Sequence, residues 1–338
     1  MNAIDRYLAE SLVGVSEGIR QVRAVIAKVA RSDMAVLVQG PTGAGKELVA
    51  RAIHDLSGRP GEIVAFNVCA IADSMFEDAL FGHVRGAYTG AISDAQGYLS
   101  EADRGTLFLD EVSGLPLASQ AKLLRAIETG EFRPVGAQTN RRSAFRTLAA
   151  SNESVRTLIE GGRFRSDLAQ RLCGIVIEVP ALARRVPDVR LLAEHFAARI
   201  GNGSGPFQFT SQALAALERH DWPGNVRELQ QVVARAITLS SHRELTQSDI
   251  EDAIDAGGIV HSAVPLSLGV TQEQCVARRR LLEALSENGW DKARVANELG
   301  VHPVTVYRQM RRLGIPLRVN SATPPQWLRD PNAVTDRL

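Results

Sequence analysis

Gly40-Pro41-Thr42-Gly43-Ala44-Gly45-Lys46-Glu47 follows the apolar run Ala35-Val36-Leu37-Val38 and leads into Leu48-Val49-Ala50-Arg51-Ala52-Ile53. A short buried strand, a glycine turn and a helix, in that order, describe a phosphate-binding loop. The glycines let backbone N–H groups converge on phosphate oxygens, the helix presents its positive end, and Lys46 reaches the terminal phosphates. Glu47 stands where the general pattern has a Ser or Thr hydroxyl for magnesium. The loop is therefore either decayed or of a subclass that handles the metal differently.

Working outward, Ile19, Val22, Val25, Ile26 and Val29 recur at helical spacing ahead of the loop. Ile63–Asn67, Thr106–Glu111, Arg146–Ser151 and Ile175–Val179 read as further short buried strands, with helical patterns between several of them, as at 117–129. Such alternation predicts an α/β unit: a parallel sheet with helices on both faces. After Pro180 the pattern turns helical, over 188–199, 211–220, 225–240 and 247–256, with no strand candidate between. A charge-free stretch at 257–269, broken by Gly, Ser and Pro, reads as a linker. Two short helices joined by Gly300-Val301 then predict a helix-turn-helix. The expected divisions are a short N-terminal extension (1–12), an α/β nucleotide-binding subdomain (13–180), a helical subdomain (181–256), a linker (257–270), a small all-α helix-turn-helix domain (271–317) and a disordered tail (318–338).

The loop gains partners along the chain. Leu107-Phe108-Leu109-Asp110-Glu111 puts two carboxylates at the end of a buried strand, facing the ligand crevice of a parallel sheet. Asp110 suits magnesium, directly or through water, and Glu111 suits a base for the attacking water. Alone, such a pair also begins many ordinary helices. Asn152, after the fourth strand, suits a γ-phosphate or water contact, although a lone Asn is more often a turn former. Arg165 and Arg171 are too far apart for one helical face. They suit a boundary where a cation meets transferred phosphate on a neighbouring subunit; by spacing alone they read as solvated surface arginines.

Composition excludes more than it selects. The chain has 338 residues, 45% hydrophobic and 23% charged, with formal net charge +1. That is ordinary for a globular protein, so any basic surface is local. Cys69, Cys173 and Cys275 are scattered, without a C-x-x-C pair, and read as buried free thiols of a reducing compartment. There is no run of about eighteen apolar residues and no basic-then-apolar leader. The expectation is a cytoplasmic protein with no membrane partner.

From about Leu12 to Ala256 the chain resembles the AAA+ domain of sigma-54-dependent transcription activators, the bacterial enhancer-binding proteins. Leu80-Phe81-Gly82-His83, followed by Gly86-Ala87-Tyr88-Thr89-Gly90-Ala91, looks like the family's LFGH and GAFTGA signature with Tyr for Phe. Gly105–Glu111, Gln120–Arg125 and Trp222–Leu229 match its G-T-L-F-L-D-E, Q-x-K-L-L-R and W-P-G-N-[IV]-R-E-L. The resemblance implies an ATP hydrolase whose loop at 86–91 projects from a ring and touches the sigma factor. Glycines flanking an exposed aromatic and a hydroxyl agree with a mobile contact loop. It further implies that Asn67 switches the catalytic Glu111, Asn152 is a first sensor, Arg227 a second sensor, and Arg165 and Arg171 are arginine fingers. It accounts for Glu47, because the family commonly carries G-K-E. Three departures stand out: Pro180-Ala181-Leu182-Ala183-Arg184-Arg185 for P-P-L-R-E-R, Val84-Arg85 for an acidic-basic pair, and Arg104 for a glycine.

Residues 271–317 resemble the Fis-type helix-turn-helix of the same activators. Val306, Met310 and Leu313 share one face and are expected to pack on Val295 and Leu299. The opposite face carries Pro303, Val304, Thr305, Arg308, Gln309 and Arg312. Arg308 suits guanine readout, with Thr305 and Val304 near the groove floor. Lys292, Arg294, Arg311 and Arg318 suit phosphate contacts. A helical hairpin used for dimerisation is the plainer reading of this segment.

The implied partners are ATP, Mg2+, upstream DNA, sigma-54 RNA polymerase holoenzyme, and further subunits, identical or of a related activator, from dimer to hexamer. A dozen residues before the ATPase domain are too few for a sensory domain. Control is therefore expected from expression level, an inhibitor or co-activator protein, or a partner subunit. The alternative function is a nucleotide-controlled DNA-binding regulator that does not act through sigma-54.

Overall fold

The computed structural model describes residues 3–200 and 207–257, with 281, 284, 285, 288, 291, 294–296 and 306. Contacts divide the chain into two units, Met1–Ser262 and Ala263–Leu338.

Five strands make the central sheet of the first unit: β1 (Val36–Gln39), β2 (Ile63–Asn67), β3 (Thr106–Asp110), β4 (Arg146–Ser151) and β5 (Ile175–Glu178). All pairings are parallel, in the order β2-β3-β4-β1-β5. The strands are almost wholly apolar because both faces are covered. Leu37, Phe66, Leu107, Leu109 and Ala149 face one core, with α4 (Asp73–Phe81), α5 (Leu117–Thr129), α6 (Val155–Glu160) and α7 (Ser166–Leu172). Val36, Val38, Phe108, Leu148, Ala150 and Ile177 face the other, with α1 (Ala3–Ser11), α2 (Glu17–Val29) and α3 (Lys46–Asp55).

The N-terminal extension is therefore part of this core. Leu8 of α1 and Leu12 beyond it are buried against α2 and α3. Burying a leucine of this kind is worth on the order of 2 kcal/mol. Under the sheet, the buried Arg146 guanidinium donates to the carbonyls of Val29, Ala30 and Met34, and so satisfies the end of α2.

The helical subdomain comprises α8 (Val186–Ile200), α9 (Ser211–Arg219), α10 (Asn225–Leu239) and α11 (Gln247–Gly257) around a core that includes Leu192, Phe196, Leu217, Trp222, Val233 and Ile250. One feature departs from the sequence reading. Gln208–Phe209 pairs in parallel with Glu244–Leu245, a two-residue bridge where no strand was expected. Two residues are too few to leave a period-2 signal. A second departure concerns the thiols: Cys173 is half-buried, but Cys69 is exposed and free. Among the described residues no helix is long and apolar enough to cross a membrane.

In the second unit Leu285, Val295, Ala296 and Val306 are fully buried. The Asp291 carboxylate accepts from the Arg294 N–H at 3.3 Å, as a helix cap does, and forms an ion pair with the Arg294 side chain. Lys292, Pro303, Val304, Thr305, Arg308, Gln309, Arg311, Arg312 and Arg318, with Leu299, Met310, Leu313, Cys275, the linker and the tail, lie outside the described residues.

Candidate nucleotide site and contact loop

Strand order assembles the site. In parallel strands all carboxyl ends lie along one edge, with neighbours about 4.8 Å apart. Along that edge β2 ends in Asn67, β3 in Asp110, β4 in Ser151 and β1 in Gln39, in that order. Asn67 is in register with Asp110, and Gln39 with Ser151. The loop 40–47, the two carboxylates, Asn152 and Asn67 are thus brought to one edge from four separate parts of the sequence.

The loop turns through Gly43 (φ 77°) and Gly45 (φ 101°) before α3 begins at Lys46. Gly43 also meets the helical subdomain: a Cβ there would lie 2.3 Å from the Gly224 carbonyl oxygen. The Gly43 carbonyl accepts from the Arg227 backbone N–H at 3.2 Å. Lys46 is buried and donates to the carbonyls of Gly40 (2.9 Å) and Pro41 (3.2 Å). Burial pulls its ammonium below the usual range, Asp110 and Glu111 oppose that shift, and Arg227 adds to it. Burial raises the Asp110 carboxyl, with the charge of Glu111 in the same direction and Lys46 against both. The Glu47 side chain is 65% exposed and lies 3.9 Å from Arg51 one turn on.

Glu111 holds a left-handed backbone (φ 58°, ψ 48°). For a residue with a Cβ this costs about 1–2 kcal/mol. The strain is fixed by its neighbours. The Glu111 N–H donates to Asp110 Oδ1 at 3.1 Å, and its carbonyl accepts from the Gly114 N–H at 3.0 Å. Asn67 caps the turn beside it, its side-chain oxygen accepting from the Ala70 N–H at 3.1 Å. Asn152 Oδ1 accepts from the Ser113 hydroxyl at 3.1 Å, which ties the end of β4 to the turn after Glu111.

Arg165 and Arg171 are both exposed, one at the start and one in the last turn of α7. Arg165 pairs with Asp167 through two nitrogens, at 3.1 and 2.8 Å. Its backbone N–H donates to Gln120 Oε1 at 2.8 Å, while the buried Gln120 amide donates to the carbonyls of Leu115 and Arg163.

Sequence reasoning passed over Gln120, Ser113 and, above all, Asn225. Asn225 is buried with φ 55°, a conformation Asn tolerates better than most residues. Its side chain donates to the Thr42 carbonyl at 3.0 Å and accepts from the Leu182 N–H at 2.8 Å, joining the phosphate loop to the helical subdomain. The signal was its place in Trp222-Pro223-Gly224-Asn225, where only the later arginine was weighed.

The altered segment 180–185 keeps its structural arginine. Arg185 is buried and pairs with the buried Asp188 at 2.8 Å, whereas Ala183 and Arg184 are exposed. Asp188 also accepts from the Val15 N–H (2.5 Å), the Ser16 N–H (2.8 Å) and the Ser16 hydroxyl (2.6 Å). Burial alone would raise the Asp188 carboxyl, but those hydrogen bonds outweigh it and hold it below its usual range. Arg104, which stands for a glycine, sits at φ 59°, where glycine is the unstrained residue.

The segment 86–91 forms a loop closed by Gly86 N–H to the Ala91 carbonyl (2.9 Å) and Ala91 N–H to the Tyr88 carbonyl (3.0 Å). Tyr88 and Thr89 are exposed, and Ala91 is buried at the base. Among the described residues no cluster of three or more His, Cys, Asp or Glu is arranged to hold a metal ion by itself.

The fold and this edge define a P-loop protein of the AAA+ type. Residues 12–178 match the sigma-54 interaction domain, residues 183–263 the AAA+ ATPase lid domain, and residues 276–313 the Fis family of bacterial regulatory proteins. The anaerobic nitric oxide reductase transcription regulator NorR of Vibrio vulnificus is 38% identical over 92% of this chain and 64% of its own length. The transcriptional regulatory protein ZraR of Escherichia coli is 38% identical over 89% of this chain and 68% of its own. Crystalline NtrX of Brucella abortus in complex with ADP superposes with a TM-score of 0.68 at 31% identity, over 92% of this chain and 71% of NtrX. The chain belongs to the sigma-54-dependent transcription activators. It spans just under two thirds of the length of the NorR proteins it matches.

Proposed function

We propose that the protein is a sigma-54-dependent transcription activator that binds upstream DNA and uses ATP hydrolysis in an oligomeric ring to remodel sigma-54 RNA polymerase for promoter opening. What carries the reading is one unit that holds both the nucleotide edge and the 86–91 loop, in a chain whose C-terminal region matches the Fis family.

ATP fits the residues present. The N–H groups of the turn 43–47 and the start of α3 receive the β- and γ-phosphates, and Lys46 leaves the loop carbonyls for phosphate oxygens. Arg227 reaches the same phosphates from the helical subdomain. Asp110, with water, would hold Mg2+, which would supply positive charge against that of the phosphates. Glu111 accepts the proton of the attacking water, Asn152 positions that water with Ser113 behind it, and Asn67 sets Glu111 by its neighbouring position. Arg165 and Arg171 complete the site of the adjacent subunit, so turnover requires assembly. The ring, of up to six identical or related subunits, forms from DNA-bound dimers in the cytoplasm. Lys292, Arg294, Pro303, Val304, Thr305, Arg308, Gln309 and Arg312 contact the DNA. Gly86, Ala87, Tyr88, Thr89, Gly90 and Ala91 contact sigma-54.

The test is capture of sigma-54 holoenzyme by the purified protein in ADP with aluminium fluoride. A complex that forms with the analogue and is lost with ADP alone supports the reading. Nucleotide binding without any holoenzyme complex moves the protein to the alternative, a nucleotide-controlled regulator at other promoters.

A further inference from the structure

The tyrosine that replaces phenylalanine in the contact loop has an acceptor. Tyr88 Oη donates to Asp78 Oδ2 at 3.3 Å. The other oxygen of the same carboxylate lies 2.5 Å from His83 Nδ1, and the His83 and Tyr88 rings meet edge-to-face with centroids 5.2 Å apart. Asp78 and His83 are largely shielded, with side chains 18% and 12% exposed, whereas Tyr88 is 40% exposed. A largely shielded carboxylate in the body of α4 thus holds the exposed tip of the loop. Gly86 (φ 81°) and Gly90 (φ 111°) flank Tyr88, and neither has a neighbour within 4 Å of where a Cβ would lie, while the base of the loop is closed by the Gly86 N–H to Ala91 carbonyl bond.

We propose that Asp78 is a positioning residue for the contact loop: it latches the Tyr88 hydroxyl against α4, His83 holds the carboxylate in place, and the loop extends toward its protein partner only when this bond breaks. A phenylalanine at 88 has no hydroxyl for the latch, so the substitution adds a restraint and does not merely preserve an aromatic contact. The inference rests on reading 86–91 as the sigma-factor contact for its purpose, but not for its geometry.

Hydrogen exchange of the 86–91 segment in the full chain, read by mass spectrometry in a double-mutant cycle, tests it. Asp78→Ala and Tyr88→Phe are each expected to speed exchange roughly two- to fivefold, the range for loss of one partly exposed hydrogen bond. Because Asp78→Ala already removes the Tyr88 bond along with the His83 contact, the double variant is expected to exchange no faster than Asp78→Ala alone. Unchanged exchange in Tyr88→Phe, or multiplied effects in the double variant, would overturn the latch. In a second arm Asp78→Ala, with its ATP turnover unchanged, is expected to capture sigma-54 holoenzyme in ADP with aluminium fluoride at a two- to fivefold lower concentration. Equal or weaker capture would contradict the role in extension. If the unaltered protein captures no holoenzyme, the functional reading fails, while the exchange cycle still decides the latch.

Discussion

Replacing Asn225 by alanine removes the bolt between the phosphate loop and the helical subdomain. The Leu182 N–H loses its acceptor while buried, which costs about 1–3 kcal/mol. The Thr42 carbonyl is exposed to water once its donor goes, so its loss is smaller, about 0.5–1 kcal/mol. Alanine at φ 55° adds about 1 kcal/mol of backbone strain that asparagine tolerates better. The sum is about 2.5–5 kcal/mol, a large part of the roughly 5–15 kcal/mol that holds most domains folded. Urea unfolding followed by circular dichroism reads it, with the nucleotide dissociation constant rising in parallel. Asn225→Gly separates the causes: it loses the same hydrogen bonds without the strain and is expected to recover about 1 kcal/mol relative to alanine. Destabilisation below about 1 kcal/mol in Asn225→Ala, or a glycine variant no better than alanine, would refute the reasoning.

Three further outcomes follow from single residues. Asp188→Asn leaves the buried Arg185 guanidinium without its charge partner and is expected to cost about 3–5 kcal/mol in urea unfolding. Because the Asp188 carboxyl is lowered in the folded protein, its stabilisation is complete above about pH 4 and is lost as pH falls through the lower folded value. Part of the acid limb of a melting profile is therefore expected to vanish in the variant. Glu111→Gln is expected to cut ATP turnover by about 10²–10⁴-fold while nucleotide titration changes little, since only proton acceptance is removed. Arg104→Gly is expected to raise stability by about 0.5–1 kcal/mol, because relief at φ 59° outweighs the loss of an exposed contact with Asp103 at 3.8 Å.

Much of the fold was legible because its strands are buried on both sides. A run such as Leu107-Phe108-Leu109, too short for a helix and bounded by turn residues, fits a strand buried on both faces. The gathering of Lys46, Asp110, Glu111 and Asn152 at one edge was legible for a related reason: each lies at or just past the end of a strand or at the start of a helix, and the parallel order collects such ends. Asn225, Gln120 and Asp188 were not legible as connectors. Asn225 and Gln120 bond backbone groups such as the N–H of Leu182 and the carbonyl of Arg163, and Asp188 adds the distant N–H groups of Val15 and Ser16 to its side-chain partners. Almost every residue type offers those backbone groups, so no pattern of side chains marks them. Helix α1 was missed because Leu8 and Leu12 are too few to establish a period. The left-handed backbone at Arg104 had one trace, its departure from the glycine of the resembled family pattern.

The most direct measurement is open-complex formation at a sigma-54 promoter with the purified protein, holoenzyme and upstream DNA. Open complexes that require hydrolysable ATP, and are lost in Lys46→Ala and in Thr89→Ala, are predicted. Promoter opening that survives either substitution would contradict the claim that this nucleotide site drives this loop against the sigma factor.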